Sequence, residues 1–463
     1  MNRAELFRKL SVDSMIAGNE RKHGLKRSLG AFELMMLGVG VIIGSGLFVI
    51  TGVAAAEHAG PALILSFVLA GLACACAAFC YGELASAIPA SGSSYTFVYV
   101  GLGEVFGWFI GWCITLEYVV AMSAIAVGWS AYGANILELL GVGLPKTLLA
   151  DPFSGGVINI PAIFIVSLMA VLQLKGTKAS ARLNNILVFV KLAVILIFVS
   201  LIAHSIDLDN YEPFMPFGWS GVFSGAAVVF FAFLGFDAIA NSAEEVKNPQ
   251  KDMPRGIIGS LVIATTLYII VTLMLTGAIK YTEYAGVAAP VAYALNEAGI
   301  RWGSALVSVG AIAGLTTGVL VLLGSESRLV YSMARDGLMP SSFSKVSDSG
   351  VPRRAVVCVW IVGGLIAGFV PIDRIAELCN IGTLWAFFMV SLTVIVLRKS
   401  QPGLRRDFRT PLVPFVPVMS MALCAFLASQ LDPVTWVVFV IWSCCGMIVY
   451  FLYGRKHSKL DDR

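Results

Sequence analysis

The chain is 463 residues long, 58% hydrophobic and only 13% charged, with a mean hydropathy of +0.85. That composition belongs to an integral membrane protein of many helices and excludes an ordinary soluble domain. The formal net charge of +4 is spread over loops between apolar runs, not gathered on one face, so no nucleic acid is expected as a partner.

Residues 1–30 are polar and basic through Arg27 and read as a cytoplasmic segment without a cleavable signal peptide. Apolar stretches of spanning length then recur near 31–56, 62–88, 104–133, 158–174, 183–204 and 218–242. Six more follow near 256–279, 303–333, 355–371, 375–397, 412–430 and 434–453, which makes twelve predicted transmembrane helices in an all-α fold. With the N-terminus in the cytoplasm, 27 of the 32 Lys and Arg fall on that side. Lys146, Lys280, Arg301 and Arg374 fall outside, and Lys191 lies within a span. The positive-inside rule thus predicts a multi-pass protein of the cell membrane with both termini cytoplasmic.

Span one is interrupted: Gly38, Gly40, Gly44 and Gly46 crowd its middle, where helix propensity is poorest. A helix broken at mid-membrane leaves N–H and C=O groups unpaired, which is tolerated only where the backbone lines a cavity or meets a ligand. The second half would start at Gly44-Ser45-Gly46 and aim its free N–H groups and positive dipole end into that cavity, a setting that suits a carboxylate. Packing of small residues between helices is the competing account of the glycines. Span six carries a matching interruption at Phe230-Phe231-Ala232-Phe233-Leu234-Gly235-Phe236-Asp237. Breaks five spans apart predict two inverted five-helix repeats, 31–204 and 205–398, followed by two extra helices over 399–453 and a tail at 454–463.

The nine cysteines lie mostly in apolar runs, and no histidine joins them at metal-ligand spacing, so neither metal nor cofactor is expected. His23, His58, His204 and His457 fall near span ends or in tails and build no proton relay. A nucleophile–base set is not in evidence, which argues against an enzyme. A channel would need a polar stripe through several spans, and a sensor would need a signalling domain.

A ligand that carries both a carboxylate and an ammonium needs donors for the first and acceptors for the second. Gly44, Ser45 and Gly46 offer the first through their N–H groups. Carbonyls freed by the breaks, at Ile42 beside Ile43 and at Phe231, Ala232 and Leu234 beside Phe230, offer the second. Phe231 would cover the substrate as an inner gate or be an ordinary core aromatic. Lys191 costs roughly 2.5–3.5 kcal/mol in a membrane interior and is a functional hypothesis by default. Its alternative is snorkelling, since it stands six residues past Asn185, about 9 Å of helix rise. Two roles stand open for Glu117 in span three: the side-chain end of a substrate pocket, or a hydrogen-bond partner for another helix. Three stand open for Asp237: holding the unwound part of span six, pairing with Lys191 in one state, or lining an outer vestibule. Glu326 reads as intracellular, near Arg328.

Several stretches together resemble the amino acid–polyamine–organocation superfamily, in its cationic amino acid transporter branch. They are Gly40 to Phe48, Tyr81-Gly82-Glu83 through Ser93, Phe231 to Asp237, Glu244 through Pro254, and Ala334-Arg335-Asp336-Gly337-Leu338-Met339-Pro340. The resemblance runs from about Leu29 to His457. It implies the leucine-transporter fold and places the amino-acid backbone at the two breaks. In similar proton-coupled permeases a lysine at the place of Lys191 meets the carbonyls of Gly40 and Ile43 and the hydroxyls of Thr316 and Thr317, where relatives hold sodium. At the place where the family reads the substrate side chain, Leu322 or Leu323 would shorten the pocket and offer nothing to a cationic tip. The expectation is therefore a proton symporter importing small or branched neutral amino acids. Cationic amino acids, amino-acid exchange and an amino-acid sensor are the alternatives. Amino acid, proton and lipid bilayer are the expected partners, with an accessory membrane subunit left open.

Overall fold

The computed structural model describes residues 29–44, 46–88, 93–175, 180–237, 239–240, 246–287, 289–347 and 351–459. Most of the segment 1–30, Ser45, the hairpin residues 89–92 and the acids Glu244 and Glu245 lie outside the described residues.

Helix occupies every one of the apolar stretches, and among the described residues the extended structure is limited to one isolated parallel bridge between Leu29 and Val246. In chain order the helices begin with α1 (Ala31–Ile42), α2 (Thr51–Ala54), α3 (Leu63–Ala87), α4 (Ser93–Leu102) and α5 (Glu104–Leu139). They continue with α6 (Ile160–Lys175), α7 (Ser180–Ile202), α8 (Gly218–Val229), α9 (Pro249–Ala278) and α10 (Pro290–Glu297). The last are α11 (Arg301–Arg335), α12 (Arg353–Phe369), α13 (Ile372–Ser400), α14 (Phe415–Ser429) and α15 (Pro433–Val449). Seven helical stretches are long and apolar enough to cross a membrane, and three more, α6, Gly218–Phe233 and α14, are apolar but shorter. The short helices α4 and α10 were not anticipated; they fill what the apolar pattern left as connections.

Two packed groups form around the interrupted helices. On one side α9 packs along α1 and α3, with α8 against α3. On the other α11 packs along α5 and α7, while α6 and α12 lie together beside α5. α13 runs between the groups and touches both α5 and α3. Polar side chains stitch these helices where the surroundings are apolar: Ser123 of α5 donates to the Gly363 carbonyl of α12 at 2.9 Å, and Trp360 of α12 donates to Ser167 of α6 at 2.9 Å.

One buried ionic knot closes an end of the bundle. Glu83, 1% exposed near the end of α3, accepts two hydrogen bonds from Arg398 of α13, at 3.0 and 2.7 Å. It also accepts the Thr410 N–H at 2.7 Å and lies 3.3 Å from Arg406. The fully satisfied carboxylate ties α3, α13 and the 401–414 connection. Removing one partner of such a buried pair strands the others without compensation. Glu83→Gln is expected to destabilise the protein by about 3 kcal/mol, seen as a lower thermal unfolding midpoint in detergent; an unchanged midpoint would show that the knot is not structural.

Candidate functional site

α1 stops at Ile42 because Ile43 is extended, at φ −77° and ψ 90°, and helix resumes only at Gly46 with a wide π-type turn through Ile50. α8 stops at Val229, a 3-10 turn covers Phe230–Phe233, and Gly235 then takes φ +107°, which an L side chain rarely adopts. The two breaks touch backbone to backbone: a Cβ on Gly46 would overlap the Ala232 main chain. Gly44 differs, since a Cβ there would sit 3.6 Å from the Val41 carbonyl, an ordinary contact.

The freed carbonyls find side chains from other helices. Lys191 of α7, fully buried, donates to the Gly40 carbonyl at 2.6 Å and the Ile43 carbonyl at 2.9 Å. Its stem packs on Gly314 of α11. The hydroxyl of Tyr268 in α9 reaches the Ile42 carbonyl at 2.7 Å and the Ala232 carbonyl at 2.5 Å, sharing one proton between the two breaks. Asn380 of α13 donates to the Ala227 carbonyl at the end of α8 at 2.8 Å, and Tyr132 of α5 to the Phe48 carbonyl at 2.5 Å. The Phe231 carbonyl accepts the Leu234 N–H at 3.3 Å. Among the described residues the Gly44 and Gly46 N–H groups make no backbone hydrogen bond, while Ser45, the third donor expected for a carboxylate, lies outside those residues.

Between the breaks lies a cavity of about 20 Å³, room for a single water. Span one contributes Val41, Ile42, Gly44 and Gly46, and the span-six break contributes Phe231 and Leu234. Ala121 and Ile125 of α5 and Leu322 of α11 close the remaining side. Six expected residues therefore meet here. Ile43 turns its carbonyl to Lys191, Phe230 packs on Phe387 with ring centroids 5.6 Å apart, and Ala232 backs Gly46.

The structure adds detail at three expected places. The threonines expected around Lys191 spend their hydroxyls elsewhere: Thr316 donates to the Ile312 carbonyl and accepts from Trp129, and Thr317 donates to the Gly314 carbonyl. Asp237 accepts the Tyr118 hydroxyl of α5 at 2.8 Å, and its carbonyl accepts from Ser93 of α4 at 3.1 Å. Those contacts anchor the far end of the span-six break, the first of the roles left open for Asp237. Glu326, read as intracellular near Arg328, is fully buried, while Arg328 is exposed. Among the described residues the carboxylate oxygens of Glu326 and Glu117 accept no hydrogen bond within 3.5 Å, although the hydroxyls of Thr115 and Thr383, respectively, stand close by. Each stands one helical turn from a cavity-lining residue, Leu322 and Ala121 respectively, and the two are within electrostatic reach of one another.

A family model described as Amino acid permease matches residues 29–458. The chain belongs to the amino acid permease family. The permease is 49% identical to the methylthioribose transporter of Bacillus subtilis (strain 168), over 99% of its own length and all of that protein. It is 47% identical to the branched-chain amino acid permease BcaP of the same organism, again over 99% of this chain and all of the relative. The branched-chain amino acid permease BcaP of Lactococcus lactis subsp. cremoris (strain MG1363) is 37% identical over 92% of this chain and 94% of its own.

Sequence reasoning missed Tyr268, Asn380 and Tyr132, which cap the breaks from far along the chain. Ala121 and Ile125 were within reach, since they continue the face of Glu117 at helical spacing. The contrast between the two glycines is testable. Gly46→Ala should abolish transport and lower the yield of monodisperse protein, whereas Gly44→Ala should insert and fold normally; equal behaviour of the two would remove the close approach of the breaks as a determinant.

Proposed function

We propose that the permease imports small or branched neutral amino acids by proton symport and alternating access. In this reading it has the leucine-transporter fold, with twelve spans, repeats at 31–204 and 205–398, and both termini in the cytoplasm of the cell. The packing of α9 with α1 and α3, opposite α11 with α5 and α7, supports that arrangement.

One observation carries the coupling: the buried Lys191 ammonium holds the Gly40 and Ile43 carbonyls at the break that also presents the Gly44 and Gly46 N–H groups. The charged lysine donates to both carbonyls in charge-assisted hydrogen bonds; its neutral form loses that assistance and holds them less strongly. Protonation at Lys191 and substrate binding at the break thereby act on the same few residues of span one. The substrate carboxylate takes the free N–H groups, and its ammonium takes carbonyls now shared through Tyr268. Ile125, Leu322 and Phe231 leave an apolar end suited to an aliphatic side chain. The names of the two BcaP relatives agree with that choice.

A second reading is favoured by Glu117 and Glu326, buried carboxylates just beyond the pocket that, among the described residues, accept no short hydrogen bond. They suit hydroxyl donors, as on the thiosugar named in the other Bacillus relative. Uptake of externally added labelled leucine, alanine, arginine or methylthioribose into proteoliposomes separates the readings. Leucine or alanine uptake driven by an inward proton gradient, with the drive reduced at least tenfold in Lys191→Ala, is the expected result. Sodium-driven uptake, or an unaffected variant, would return Lys191 to a structural role. Arginine or methylthioribose preferred over leucine would overturn the substrate assignment.

A further inference from the structure

Away from the breaks, a groove of about 580 Å³ opens at one end of the α6–α12 pair. Four cations converge on it from three separate segments: Lys175 ends α6, Lys345 lies in the 345–347 connection, and Arg353 and Arg354 begin α12. Among the described residues no carboxylate lines it and none of the four cations enters an ion pair; Asp348, which follows Ser347, lies outside those residues. α12 opens there without a side-chain cap, so its first-turn N–H groups and positive dipole end add to the field. Uncompensated like charges repel one another, and a groove that gathers them without an acid is built to take an anion.

What lies beneath the groove tells which kind of anion. Along α6 the residues Phe164, Leu168 and Leu172 are exposed, and along α12 so are Ile361, Val362 and Leu365. Trp360 and Ser167 hold the two helices side by side, so these apolar residues share one pair of helices running away from the charged mouth. A free phosphate would use the mouth alone. A ligand with an anionic phosphodiester and two acyl chains uses both parts.

We infer that the Lys175–Lys345–Arg353–Arg354 groove binds the headgroup of an anionic phospholipid, with its chains along α6 and α12. Arginine presents paired N–H donors that match phosphate oxygens, and basic pockets between membrane helices recognise acidic headgroups by this chemistry. The site is independent of the substrate and of the coupling ion.

The test titrates purified full-length protein with short-chain phosphatidylglycerol, short-chain phosphatidylcholine or inorganic phosphate, following the thermal unfolding midpoint. Native mass spectrometry of protein taken from mixed vesicles reads the retained lipid. Phosphatidylglycerol is expected to stabilise the protein and to be retained, while phosphatidylcholine and phosphate do neither. Arg353→Gln/Arg354→Gln should weaken the response about thirtyfold, from roughly fivefold per cation. Lys175→Gln/Lys345→Gln tests the same groove from two other segments, in case the first pair fails to fold. Arg455→Gln/Lys456→Gln, a basic pair elsewhere on the chain, should leave the response unchanged. Equal responses to both lipids, an undiminished response in the groove variants, or equal loss in the distant pair would overturn the proposal. A response to phosphate alone as large as that to phosphatidylglycerol would make this a free-anion site and overturn the lipid assignment.

Discussion

A helix interrupted inside an apolar bundle exposes carbonyls that water cannot reach, and each one left unpaired costs several kcal/mol. In this permease that constraint is met by side chains from four other helices. Lys191 of α7 serves Gly40 and Ile43, Tyr268 of α9 serves Ile42 and Ala232, Asn380 of α13 serves Ala227, and Tyr132 of α5 serves Phe48. The breaks are therefore not loose segments. Their geometry is bound to the side chains that cap them, and neither can be rearranged without releasing or moving those caps.

The close approach of Gly46 to Ala232 adds a second constraint of a steric kind. Packed backbones admit few intermediate arrangements, so a change at one break must be passed to the other or refused. Tyr268 makes the same link through hydrogen bonding, because its one proton is shared between carbonyls on opposite breaks.

Much of this was legible in the sequence, for particular reasons. Glycines clustered in a spanning run, and a glycine two residues before an acid in another, are strong local signals, and both mark real interruptions. Lys191 stood out because a lysine in an apolar helix needs partners, and two of those expected, the Gly40 and Ile43 carbonyls, are there. The threonines were not legible, because a helical threonine can satisfy its hydroxyl on its own preceding turn, as Thr316 and Thr317 do. The burial of Glu326 could not be read from its neighbour Arg328: residues two apart on a helix do not share a face, so an exposed arginine says nothing of the glutamate's burial. Tyr268, Asn380 and Tyr132 carried no local signal, since a cap supplied from a distant helix is visible only once the helices are packed.

The cavity between the breaks gives the last constraint its direction. At about 20 Å³ it is far below the few hundred cubic ångströms that small-ligand sites enclose, so no amino acid fits the observed packing. Room must come from displacement of the walls, and the walls differ in what holds them. Ala121 and Leu322 belong to long continuous helices packed on one another, whereas Ile42, Phe231 and Leu234 sit on interrupted backbone whose hydrogen bonds end on movable side chains. The interrupted side is the one that can yield. A ligand that enters must then compete with Tyr268 for the carbonyls of Ile42 and Ala232, one residue away from the carbonyl that Lys191 holds. In the proposed cycle, opening of the pocket and the charge on Lys191 meet on the same stretch of main chain, so neither can change without altering the free energy of the other.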